Sequence, residues 1–108
     1  MTLNKFQAVI HETDSAIIVQ VGGELDLAAA PELRSLLETV VNRTEKTLVL
    51  DTERLAYIDS TGIGIVVSVI KARDEKKAEF IVKNIPRSIK RLFDITGISG
   101  YINEGTVS

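Results

Sequence analysis

The sequence predicts a small α/β domain built on a mixed sheet, and three observations predict it. An alternating apolar run is followed by a turn and a β-branched run; a helical pattern separates that run from another strand; and a glycine-containing turn opens a second helix before a further strand and helix. In the first run Phe6, Ala8 and Ile10 alternate with Gln7, Val9 and His11, and after Thr13-Asp14-Ser15 residues 17–21 carry the second strand, so the pair reads as a hairpin. Gly22-Gly23 is expected to end it. Pro31 suits the first turn of a helix and Glu32 its positive end, while Leu33, Leu36, Leu37, Val40 and Val41 recur at helical spacing. Residues 47–51, with apolar Leu48, Val49 and Leu50, form a short strand one helix later. That makes a βαβ unit with parallel strands and a right-handed crossover.

Residues 63–70 are rich in β-branched side chains, yet the stretch runs on through residues 71–77, too far for one strand, and its Lys/Arg-rich end suits a helix C-terminus. A helix is therefore expected, with the next strand over residues 79–82. The mixed charges of residues 71–77 read as a solvated helix end. A third helix opens near Pro86, presents Ile89, Leu92 and Phe93 on one side and stops at Gly97; residues 98–103 add a last short segment.

Composition bounds what such a domain does. The 108 residues fit one domain, and 44% apolar with 5% aromatic residues gives an aliphatic core. Thirteen basic and fifteen acidic residues leave a net charge of −2, which lacks the basic footprint of a nucleic-acid binder. With no cysteine and one histidine, a disulfide framework and a zinc site are both disfavoured. The apolar stretch 63–70 is far shorter than the ~20 residues that cross a bilayer, and no secretion signal is evident, so a cytoplasmic address without membrane contact is expected.

The most informative segment is Asp59-Ser60-Thr61-Gly62-Ile63-Gly64, which lies between a strand and a helix, where loops at the carboxyl ends of parallel strands form functional edges. Ser60 or Asp59 suits an N-cap, and two glycines in a first turn, unfavourable by about 1 kcal/mol each relative to alanine, suggest close approach by something. The residues alone favour cap and packing against the sheet over a functional role. A phosphate-cradling turn is disfavoured, because Gly64 is followed by Ile65 and Val66 where a P-loop needs Lys and Ser or Thr. Asp26, after Gly23-Glu24-Leu25, opens on the same edge if the two strands are parallel, and serves equally as a turn carboxylate or a helix cap. His11 reads as a solvent-facing strand residue. Ser60, Asp26 and His11 can be named as a triad, but the serine lacks a nucleophile elbow, so no catalytic residue is expected.

Taken together, Gly23-Glu24-Leu25-Asp26, then Ile58-Asp59-Ser60-Thr61-Gly62-Ile63-Gly64, then Arg91-Leu92-Phe93-Asp94-Ile95-Thr96-Gly97 resemble, in order, the bacterial anti-sigma-factor antagonists, whose domain is called STAS. The resemblance implies one STAS domain over residues 1–108, with helices packed mainly on one face of the sheet. It implies that Ser60 is phosphorylated by an anti-sigma factor that is also an ATP-dependent serine kinase. Unphosphorylated antagonist binds that factor and frees the sigma factor; phosphorylated antagonist is released, and a PP2C-like phosphatase resets it. ATP and Mg²⁺ would belong to the kinase, so the chain itself takes no cofactor and no metal. The partner-binding edge would comprise Asp26, Asp59, Ser60, Thr61 and Gly62, on a monomer or weak dimer. Ala28-Ala29-Ala30 stands where the family often has a more polar segment, which bears on partner choice. Two other readings remain: a scaffold or sensor subunit of the same fold, and a small nucleotide-binding or hydrolytic protein using the glycine turn.

Overall fold

A computed structural model describes residues 5–103. The chain runs through strand β1 (Gln7–Glu12), β2 (Ala16–Leu25), helix α1 (Ala30–Glu38), β3 (Thr47–Ile58), α2 (Ser60–Glu75), β4 (Phe80–Lys83), α3 (Arg87–Thr96) and a 3-10 turn, Ser99–Tyr101. Residues 1–4 and 104–108, the ends of the expected domain, lie outside the described residues. The four strands form one sheet in the order β1-β2-β3-β4; β1 is antiparallel to β2, while β2, β3 and β4 are parallel. The expected element order and mixed sheet are therefore present. Ile17, Val19, Val21, Leu48, Leu50 and Val82 from the sheet share one buried cluster with Leu33 and Leu37 of α1, Ile65, Val66 and Val69 of α2, and Ile89 and Phe93 of α3. All three helices thus cover the same face, each presenting residues three and four apart to it.

Three expectations need correction. The second strand does not end at Gly22-Gly23 but runs to Leu25, with Gly23 at a φ of 78°. The third strand extends well past residue 51, to Ile58. Both differences have one cause. Gln20 pairs with Asp51 and Gly22 with Arg54, then Gly23 with Leu55 and Glu24 with Tyr57, so β3 carries one extra residue at each of two places opposite β2. Bulges break the alternation of side chains. Leu55 and Ile58 consequently point inward three residues apart, a spacing that does not read as a strand. The third correction concerns residues 71–77. Arg73 is no solvated helix-end residue but is 1% exposed, and its guanidinium donates to the carbonyls of Val41 (3.2 Å), Arg43 (3.0 Å), Lys46 (2.7 Å) and Glu79 (2.8 Å). Burial lowers its pKa from the ordinary arginine value, partly offset by the charge of Glu45.

α3 stops where expected, because Gly97 takes the left-handed conformation that closes a helix. The expected last segment is the 3-10 turn followed by a bridge between Asn103 and Ile81, which covers part of the β4 edge.

Candidate functional site

The site is built where β2 and β3 end side by side. Leu25 pairs with Ile58, and the Asp59 amide donates to the Leu25 carbonyl at 3.2 Å, so the segment after β2 and the start of α2 emerge together. Asp26 and Ser60 therefore share one edge, as the parallel arrangement predicts.

Asp59 organises that edge. It is the N-cap of α2, with extended backbone. Its Oδ1 accepts from the amides of Thr61 (2.9 Å) and Gly62 (3.1 Å), and its carbonyl accepts from Ile63 (3.0 Å). Three successive amides of the first turn are thereby satisfied by one residue, the arrangement that makes aspartate a favoured cap. Its other oxygen, Oδ2, accepts from the Leu27 amide at 3.1 Å and fastens the β2–α1 turn to α2. Asp26 is a turn carboxylate and not a free acidic group: its Oδ1 accepts from the Ala29 amide at 3.0 Å, and its carbonyl accepts from Ala29 and Ala30, which leads the chain into α1.

The two glycines have different reasons. A methyl group on Gly62 would lie 2.7 Å from Ile58 Cγ1, 2.8 Å from Leu25 Cγ and 2.9 Å from the Leu25 carbonyl oxygen, so Gly62 lets the first turn of α2 rest on the strand ends. A methyl group on Gly64 would meet no atom within 4 Å. The fold needs the first glycine and not the second.

Ser60 is the first residue of α2 and is exposed; Thr61 is half-buried. Gly64, one turn on, lies on the same helix face as Ser60 and is exposed too. Sequence reading passed over Leu27. It is 71% exposed, yet its backbone is held by Asp59. The available signal was an isolated leucine between the turn residue Asp26 and the alanine segment, ahead of the helical spacing that begins at Leu33. In the alanine segment, Ala29 and Ala30 are buried in the core and only Ala28 is exposed, so packing accounts for two of the three.

The remaining chemistry is sparse. His11 is exposed on β1 and is not part of this edge, being paired with Ile18 near the opposite end of β2. Among the described residues no group of three or more His, Cys, Asp or Glu side chains could hold a metal ion, and no helix is long and apolar enough to cross a membrane. The glycine turn is a poor phosphate cradle, because the amides of Thr61, Gly62 and Ile63 are already taken by Asp59.

Comparison with known proteins agrees with this arrangement. The STAS domain family model matches residues 7–107. An anti-sigma-B factor antagonist of Staphylococcus aureus is 37% identical over 90 residues, covering 82% of this chain and 83% of that relative. Among solved structures, an anti-sigma factor antagonist from Mycobacterium paratuberculosis superposes with a TM-score of 0.83 at 22% identity, covering 96% of this chain and 88% of the other. The Bacillus cell fate determinant SpoIIAA in its phosphorylated form gives a TM-score of 0.70 at 23% identity, covering 94% and 92%. The domain match and the sequence relatives together show that this chain belongs to the STAS domain family, among the anti-sigma-factor antagonists.

Proposed function

We propose that the chain is a non-enzymatic, cytoplasmic anti-sigma-factor antagonist whose edge at Asp26, Asp59, Ser60, Thr61 and Gly62 binds an anti-sigma factor, and that phosphorylation of Ser60 by that factor, acting as a serine kinase, ends the binding. A PP2C-like phosphatase resets the protein. One observation carries the reading: Ser60 presents an exposed hydroxyl on a rigid helix start whose next three amides are all engaged by Asp59. A phosphate added there has no free amide among those three to fold back onto, so it stands out toward a partner. It adds about −1.5 to −2 charge at pH 7, beside the carboxylate of Asp59. A loss of about 3 kcal/mol from repulsion and desolvation would weaken the complex more than about 100-fold. No refolding is needed, because the capping bonds do not involve the Ser60 hydroxyl.

The test is to incubate the purified chain with ATP, Mg²⁺ and the anti-sigma factor kinase of the same bacterium, and to map the phosphate by mass spectrometry. A single phosphate on Ser60, absent from Ser60→Ala protein, is expected. Modification of Thr61 instead, or none, contradicts the reading. Ser60→Asp protein should melt at the wild-type temperature while losing the partner; a collapsed melt would show that the substitution acts on the fold.

A further inference from the structure

We infer that Leu27 and Gly64 form the contact surface on either side of Ser60: Leu27 is an apolar plug that enters a pocket on the anti-sigma factor, and Gly64 is a bare patch onto which the partner's backbone descends. The inference rests on the function proposed above and specifies how that edge recognises its partner.

Two independent observations meet here. Leu27 exposes 71% of its surface, as only a few large apolar side chains do among the described residues. Such exposure is ordinary for a residue on a loose loop, but this one is fixed: its amide is bound by Asp59 Oδ2 at 3.1 Å, and the turn behind it is closed by Asp26 through Ala29. With its backbone already fixed, an apolar residue needs only its own side chain ordered on binding and not the whole loop, which lowers the cost of using it as an interface anchor. It stands beside the same carboxylate that caps the helix carrying Ser60.

Gly64 supplies the second observation. Glycine inside a helix is unfavourable relative to alanine, and nothing within 4 Å would oppose a methyl group at this position. The fold therefore gains nothing from glycine here, in contrast to Gly62. What glycine does provide is an exposed stretch of helix backbone without a side chain, one turn from Ser60 on the same face. A partner that must bring catalytic groups to the Ser60 hydroxyl needs such an approach. The occupant is thus a protein surface offering an apolar pocket for Leu27 next to a closely fitting segment over Gly64, and the anti-sigma factor that reads Ser60 is the one that must come this near.

The experiment is calorimetric titration of the purified anti-sigma factor kinase from the same bacterium into five proteins: wild type, Ser60→Asp, Leu27→Ala, Leu27→Met and Gly64→Ala, each also melted alone. Leu27→Ala should bind at least about tenfold more weakly, as loss of an anchor side chain does, with an unchanged melt because the side chain is exposed. Leu27→Met, which keeps the apolar bulk, should stay within about threefold of wild type. Gly64→Ala should melt at or above the wild-type temperature and still bind at least about tenfold more weakly, a combination that a structural role cannot produce. Wild-type affinity in either Leu27→Ala or Gly64→Ala, alongside lost binding in Ser60→Asp, overturns this inference and leaves the proposed function standing. Failure of wild type itself to bind overturns both.

Discussion

The two ends of the parallel strands use polar chemistry in opposite ways. At the far end, where β3 begins and α2 finishes, charged side chains hold the chain together: buried Arg73 gathers four carbonyls, and outside it Arg43 makes a two-bond pair with Glu12, 2.9 Å each, while Lys46 reaches Glu12 at 2.7 Å and the Thr13 carbonyl at 2.6 Å. At the Ser60 end, the carboxylates of Asp59 and Asp26 bind backbone amides, and the side chains of Leu27 and Ser60 are exposed. The first end secures the hairpin, the α1–β3 connection and α2 to one another. The second is stable enough to be held rigid, yet has a hydroxyl, a leucine and a side-chain-free helix turn that the fold does not require. A functional edge is recognisable by that surplus.

If the division is right, substitutions at the far end should damage stability and spare recognition. Arg73→Met is expected to have the largest effect, about 3–5 kcal/mol of lost stability in urea unfolding, because it takes the buried guanidinium donor from the carbonyls of Val41, Arg43 and Lys46, while the Glu79 carbonyl keeps the Leu48 amide at 3.1 Å. A loss below about 1 kcal/mol would mean that water replaces the guanidinium. Gly62→Ala comes next, at about 1–3 kcal/mol, since the methyl group would press on the Leu25 carbonyl as well as on side chains. This position tests the boundary between the two ends, for it lies in the functional segment but serves the fold.

Asp59→Ala should cost about 1–2 kcal/mol through the lost cap and should also release Leu27. Faster hydrogen exchange at the Leu27, Thr61 and Gly62 amides is the measurement, and unchanged exchange at Leu27 would show that the turn holds itself. The smallest effect is one of pH. Hydrogen bonds from Arg43 and then Lys46 lower the Glu12 pKa from 4.5 to about 2. A carboxylate depressed on folding contributes its stability in full above the unfolded value, and that contribution is lost as pH falls through the window from 4.5 toward 2. Glu12→Gln should therefore melt slightly below wild type at neutral pH and converge with it as pH falls toward 2, which flattens part of its acid limb, and added salt should shrink the neutral difference because the pair is exposed. An identical acid limb in Glu12→Gln would assign the acid loss to other carboxylates.

Much of this division was legible in the residues. Alternation in β1, the Pro31 start and Gly97 stop of the helices, and the long continuation of residues 63–70 into a charged end each express a local rule that the fold obeys. The far half of β3 was hidden because its two bulges replace alternation with a spacing of three, and the polar run Asp51-Thr52-Glu53-Arg54 imitates a turn. Arg73 was hidden for another reason: a lone arginine among lysines and acids has no sequence mark of burial until the α1–β3 connection brings carbonyls to it. At the candidate site, the cap and the packing of Gly62 were readable as physics. Singling out Ser60 required the likeness to a family, and Leu27 required the structure, since only there does an exposed leucine prove to be fastened in place.

The central claim is that one phosphate on Ser60 changes recognition without changing the fold. The direct measurement is calorimetric titration of the anti-sigma factor kinase with stoichiometrically Ser60-phosphorylated and unmodified chain, each also followed through thermal unfolding. The account predicts matching melts and at least about a 100-fold difference in affinity. Equal affinities, or a phosphorylated protein that binds weakly only because it has unfolded, would contradict it.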